Sequence, residues 1–175
     1  MSSIFLSLTT SEVSLLTTKQ IANLAPSNFA DLSTAQAQVL NTVVTGQIGA
    51  LTSADVAQIS TAAIALFNAS QLQAIGTGAI GGLTSAQTAE LTTANVQLLL
   101  AAQVAALTTT EVANLALQLS TAEIGHLTSA QASGLSTALL ASIDTAELST
   151  GVVGNLTSTQ IGTIGTALTA TQIGV

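Results

Sequence analysis

The chain has no cysteine, tryptophan or tyrosine, and Lys19 is its only Lys or Arg. Without thiols, disulfides and thiolate metal sites are excluded. With one base against eight acids and a net charge of −7, nucleic-acid binding, which needs cations on phosphates, is excluded as well. Docking to anionic lipid fails for the same reason. Charged residues make up 5% of the 175 and aromatics 2%, far below the usual charged share of about 25%. Disorder requires low hydrophobicity and high charge, whereas 48% of this chain is hydrophobic. It should fold. A mean hydropathy of +0.66 raises the question of a membrane span. The most apolar stretch, residues 96–107, carries Gln97 and Gln103 and is shorter than the roughly 20 residues a spanning helix needs. The opening MSSIFLSLTT has no basic segment before its apolar residues, so it does not read as a Sec signal.

What is present is a rhythm. An apolar residue leads a unit of eight at Leu8, Leu16, Leu24 and Leu32, then at Val43, Leu51, Ile59, Phe67, Ile75, Leu83, Leu91, Leu99 and Leu107. It returns at Leu119, Leu127, Leu135, Ile143, Leu148, Leu156 and Leu168. A second apolar residue follows five positions later, as in Val13, Ile21, Val56, Ile64, Val104, Val112 and Ile161. Position 2 is Ser or Thr (Thr9, Thr52, Thr84, Thr108, Ser120, Thr157), with Asn68 and Asp144 as equivalents. Position 5 is Gln or an acid (Glu12, Gln20, Gln36, Gln47, Asp55, Gln71, Gln87, Gln103, Glu111, Glu123, Gln131, Glu147, Gln160, Gln172).

This is the capping box S/T-x-x-E/Q: the hydroxyl accepts from the N3 amide, and the N3 side chain accepts from the N-cap amide. The flanking apolar residues fall where a hydrophobic staple belongs. Pro26, the sole proline, lies at N1, the helical position that tolerates it best. Most acids lie at N3, where the helix dipole favours them. Glycines late in the unit, such as Gly49, Gly81, Gly125 and Gly154, mark where a short helix should end.

One continuous helix is ruled out, because at about 100° per residue a repeat of eight spirals around the axis instead of forming a stripe. Register shifts of eleven (Leu32 to Val43), twelve (Leu107 to Leu119) and five (Ile143 to Leu148) differ from eight by about one helical turn. A strand would shift by two. The sequence predicts an all-α solenoid, a superhelix of short helices from tandem eight-residue repeats, with a β-solenoid as the alternative. Residues 1–7 form a lead-in and 8–175 a single repeat domain. Positions 1 and 6, with the small position 4 (Ala35, Ala54, Ala86, Ala94, Ala122, Ala130, Ala146), are expected to face inward.

Chemistry is sparse. His126, the only histidine, would need an orienting partner and a nucleophile to act as a base; the end of its unit suits a cation at a helix C-terminus. Glu111 with Glu123, or Asp144 with Glu147, are pairs that a coil could bring together, but there is no calcium loop and capping explains them. No phosphate-binding glycine motif or nucleophile elbow appears. No catalytic, cofactor-binding or metal-binding residue is assigned, and an enzyme is not expected.

Units such as LTSAQTAE (83–90) and LTTTEVAN (107–114) resemble the LTTAQVAA repeat tracts of large bacterial secreted or surface proteins described as adhesion-like or haem-utilisation-like. The resemblance implies an extracellular or cell-surface structural role, reached by a non-Sec route or within a longer precursor. The expected function is a self-assembling or adhesive structural protein, joined end to end or side by side. Two alternatives stay open. One is a solenoid that binds a peptide, glycan or apolar ligand at irregular units such as 40–44 or 151–153. The other is an ice-binding surface of Thr and Ser hydroxyls, with position 3 left free by capping.

Overall fold

The computed structural model describes residues 3–40, 46–143 and 145–174. Val43 and Asp144, named above, lie outside the described residues, as do the side chains of Glu147 and Ile173. All the regular elements described are short helices, α or 3-10, and no strand occurs among the described residues. The architecture is therefore an all-α solenoid, and the β alternative falls.

Most helices begin where a capping box places them. In the Ser85–Glu90 helix the Thr84 hydroxyl accepts from Gln87 N–H at 3.2 Å, while Gln87 Oε1 accepts from Thr84 N–H at 2.7 Å. The same reciprocal pair starts Thr10–Leu15, Thr18–Ala22, Thr34–Val39, Ser53–Gln58, Ala69–Ala74, Thr109–Leu115 and Thr121–Ile124, among others. Pro26 opens the 3-10 helix Pro26–Asp31, whose N-cap Ala25 gives no side-chain bond.

Helices end in two ways. Gly81, Gly125 and Gly154 stand at helix C-caps, as the sequence places them, though with negative φ; among the described glycines only Gly174 has a positive φ, 77°. Other helices stop where the next unit's leading residue turns extended, as at Leu16 (ψ 134°), Ile59 (135°) and Leu91 (130°).

Through the first two thirds of the chain the elements fall into three columns, each element packing on the one three later. Thr10–Leu15, Thr34–Val39, Thr61–Ala65, Ser85–Glu90 and Thr109–Leu115 form one column. Ile4–Leu6, Pro26–Asp31, Ser53–Gln58, Thr77–Ile80 and Ala101–Ala106 form the second, and Thr18–Ala22, Ile48–Ala50 and Ala69–Ala74 the third. Beyond Leu115 the register slips, because the unit there spans twelve residues. Thr109–Leu115 now packs on Ser129–Gly134, two elements on.

The core is one continuous cluster of position-1 and position-6 side chains, running from Phe5 and Val13 through Ile64, Ile80 and Val112 to Ile164 and Leu168. Burial of this stripe stabilises helices that are too short to persist alone. The alanines of position 4 correct the expectation: Ala35, Ala54, Ala86, Ala94, Ala122, Ala130 and Ala146 are all exposed. The third inward position is instead position 5, where Gln36, Gln71, Gln87, Gln103, Gln131 and Gln160 are buried. A side chain that folds back over its own N-cap lies against the preceding coil, and that direction is inward.

Among the described glycines the steric requirement is strictest at Gly82. A Cβ on Gly82 would lie 2.1 Å from the Ser53 carbonyl oxygen, where the main chains of two coils pass each other.

Candidate functional site

A buried polar side chain must find partners, and the position-5 glutamines find them across the coil. Oε1 of Gln87 caps its own helix, while Nε2 donates to the Val56 and Ile59 carbonyls at 2.7 and 2.6 Å. Gln103 reaches Leu72 and Ile75 at 2.8 and 2.7 Å. Gln36 reaches Phe5 and Leu8, and Gln131 reaches Val104 and Leu107. The targets follow from the repeat: they are the position-6 and leading carbonyls of the coil before, 31 and 28 residues back for Gln87 and Gln103. After the twelve-residue unit the spans shorten to 27 and 24 residues for Gln131. One side chain thus serves as both cap and cross-coil lock.

The lock depends on length and on a donor. Asn95 is one methylene shorter and makes a single long bond to the Phe67 carbonyl, 3.4 Å. Asp55 is buried, but its Oδ2 is occupied by the Thr52 amide and hydroxyl at 2.8 and 2.7 Å. Glu111 and Glu123 keep the cap and each leave Oε1 buried without a partner. In the first coil Gln20 and Glu12 are exposed. There the Thr9 amide, then the Thr9 hydroxyl, hold the Glu12 carboxyl below the usual carboxylate value.

Other candidate groups stay apart. His126 is exposed just beyond Thr121–Ile124. Among the described residues no three His, Asp or Glu side chains converge as a metal set, and no helix is long and apolar enough to cross a membrane. An open cavity of about 940 Å³ lies at the first coil, lined by Ser3, Leu6, Ser7, Asn28 and Asp31 among others. It holds no buried charge.

Two surface features run along the solenoid. The hydroxyl pairs Thr9/Thr10, Ser33/Thr34, Ser60/Thr61, Thr84/Ser85 and Thr108/Thr109 open successive helices of one column and are exposed or half-exposed. Leu15, Leu66 and Leu117, near the other ends of helices in that column, are 79, 51 and 68% exposed.

The locks were missed in the sequence because the partner of each glutamine lies about a full coil away. One signal was available. An exposed N3 is served by any acceptor and favours an acid through the dipole, so the frequency of Gln over Glu at position 5 already indicates a need for a donor. Compared with family models, curated proteins and solved structures, the chain finds no match.

Proposed function

We propose that this chain is a non-catalytic structural repeat protein of a cell surface or the extracellular space that assembles with copies of itself. The observation that carries this reading is the complementarity of the two coil faces. The coils of Gln87 and Gln103 present position-5 amides on one side and meet paired carbonyls on the other, so the Gln20 amide of the first coil would find the same kind of acceptor on a coil from a second copy. Such a contact is heterologous and propagates instead of closing. Gln20 is exposed in the first coil, and Leu8, Leu16 and Leu24 beside it are only half-buried, which is the surface a further coil would cover. The extracellular setting rests on the repeat's resemblance to secreted and surface tracts. Electron microscopy and light scattering of concentrated protein test the proposal: filaments that Gln20→Glu weakens are expected, and a monomer at every concentration would reject it.

The column of hydroxyl pairs favours a second reading, recognition of an ordered surface such as ice. Thermal hysteresis in dilute solution, lost in Thr109→Lys, is the expected sign. Freezing-point behaviour indistinguishable from that of buffer would remove it.

A further inference from the structure

The first column carries a ridge that the caps, the core and the cross-coil bonds leave unused. Its helices Thr10–Leu15, Thr34–Val39, Thr61–Ala65, Ser85–Glu90 and Thr109–Leu115 number the coils from one to five. Leu15 ends the first helix, Leu66 follows the third and Leu117 lies just past the fifth, and all three side chains stand in solvent. Leu66 is the centre of the set, 51 residues from each of the others. At the same corner the second coil carries half-buried Val39 and the fourth carries exposed Glu90. Leucines this bare form an apolar patch on the order of a few hundred Å², a size that marks a contact surface.

The charges decide which partner fits, and in which direction. The five helices carry three acids and no base: Glu12 and Glu90, both exposed, and the buried Glu111. A second copy laid alongside in the same direction would set Glu12 on Glu12 and Glu90 on Glu90, and like charges face to face oppose association. Turned end for end, the ridge matches itself. The first coil then meets the fifth, the second meets the fourth, and the third meets its own equivalent. Leu15 falls against Leu117 and Leu66 against Leu66, while Glu90 meets the second coil, whose Thr34–Val39 helix has no charge.

We infer that two copies of this chain pair antiparallel along the ridge of Leu15, Leu66 and Leu117, with the two-fold axis at Leu66. A contact in which one patch serves both partners closes on itself, so it gives a pair and not a filament. It is separate from the end-on contact proposed above, which uses Gln20 with the half-buried Leu8, Leu16 and Leu24. A standard interface takes about 800 Å² from each partner, more than the leucines alone supply. The uncharged Ser, Thr and Ala side chains of the same helices provide the rest, as a polar rim around an apolar centre.

Because the chain has no cysteine, single cysteines treated with a mild oxidant read the geometry directly. In dilute protein L66C should form a disulfide-linked pair with itself. L15C and L117C should each link poorly alone and readily when mixed. Gln20→Glu should leave these links unchanged, which separates loss of pairing from loss of end-on growth. L66D, at an exposed position where the helical circular dichroism should persist, should weaken pairing in sedimentation by about tenfold or more, since both copies lose a leucine at the axis. Self-linking of L15C as fast as that of L66C would show parallel pairing and overturn the inference. A chain that stays monomeric at every concentration would overturn it, as would an L66D chain that pairs as tightly as the wild type. A monomer that binds phosphatidylcholine vesicles, and loses that binding in L66D, would assign the ridge to a lipid surface instead.

Discussion

The coil held by Gln87 and Gln103 and the coil that carries Glu111 and Glu123 share the same helices, caps and core positions, yet they are not equally joined. In the first, each position-5 amide closes two bonds to the coil before it. In the second, the cap is intact and the buried Oε1 atoms have no hydrogen-bond partner. Glutamate and glutamine are interchangeable as caps because capping asks only for an acceptor. They are not interchangeable as locks, because a lock asks for a donor. The local and the non-local work of one residue are thereby separated within a single molecule.

Substitutions can break or sharpen that contrast. Gln103→Leu should have the largest effect. It leaves the Leu72 and Ile75 carbonyls and the Leu100 amide without their partners, at a cost of about 3–5 kcal/mol, measurable by urea denaturation. Gln103→Glu turns the first kind of coil into the second. It keeps the cap, loses the lock and should cost about 1–3 kcal/mol near neutral pH. Glu111→Gln makes the opposite exchange and should stabilise by about 1–2 kcal/mol under the same conditions. Gln20→Leu removes the same side chain where no coil is stacked on it. Only the cap is lost, so a cost of about 1 kcal/mol or less is expected. Equal costs at Gln20 and Gln103 would show that the cross-coil bonds contribute nothing.

The smallest effect concerns Glu12, whose carboxyl is held low by the Thr9 amide and hydroxyl. A depressed folded-state value means that this cap is present above the ordinary carboxylate range and is lost as pH falls through the lowered value. Hydrogen exchange at Thr9 N–H should accelerate there relative to Thr17 N–H, whose acceptor is the uncharged Gln20.

The helix starts were legible because a capping box is complete within four residues, so Thr84 and Gln87 announce the Ser85–Glu90 helix without any tertiary information. Positions 1 and 6 were legible from helical spacing. Ala86 was assigned inward, since small and apolar reads as inside, and the burial of Gln87 went unread because no partner is visible in the sequence. The partner of Gln87 is main chain, 28 and 31 residues distant, and a carbonyl has no signature in a sequence. The need for glycine at Gly82 was likewise invisible, because the Ser53 backbone that imposes it is distant in sequence. The hydroxyls of the candidate surface were visible from the start, and their alignment in one column emerged only from the stacking.

The central claim, that buried position-5 amides bolt each coil to the one before, is tested most directly by hydrogen exchange of glutamine side-chain amides followed by NMR. The account predicts slow exchange at Gln36, Gln71, Gln87, Gln103, Gln131 and Gln160, with Gln20, Gln38, Gln58 and Gln97, all exposed, exchanging like free amides. Uniformly fast exchange in the folded protein would contradict it.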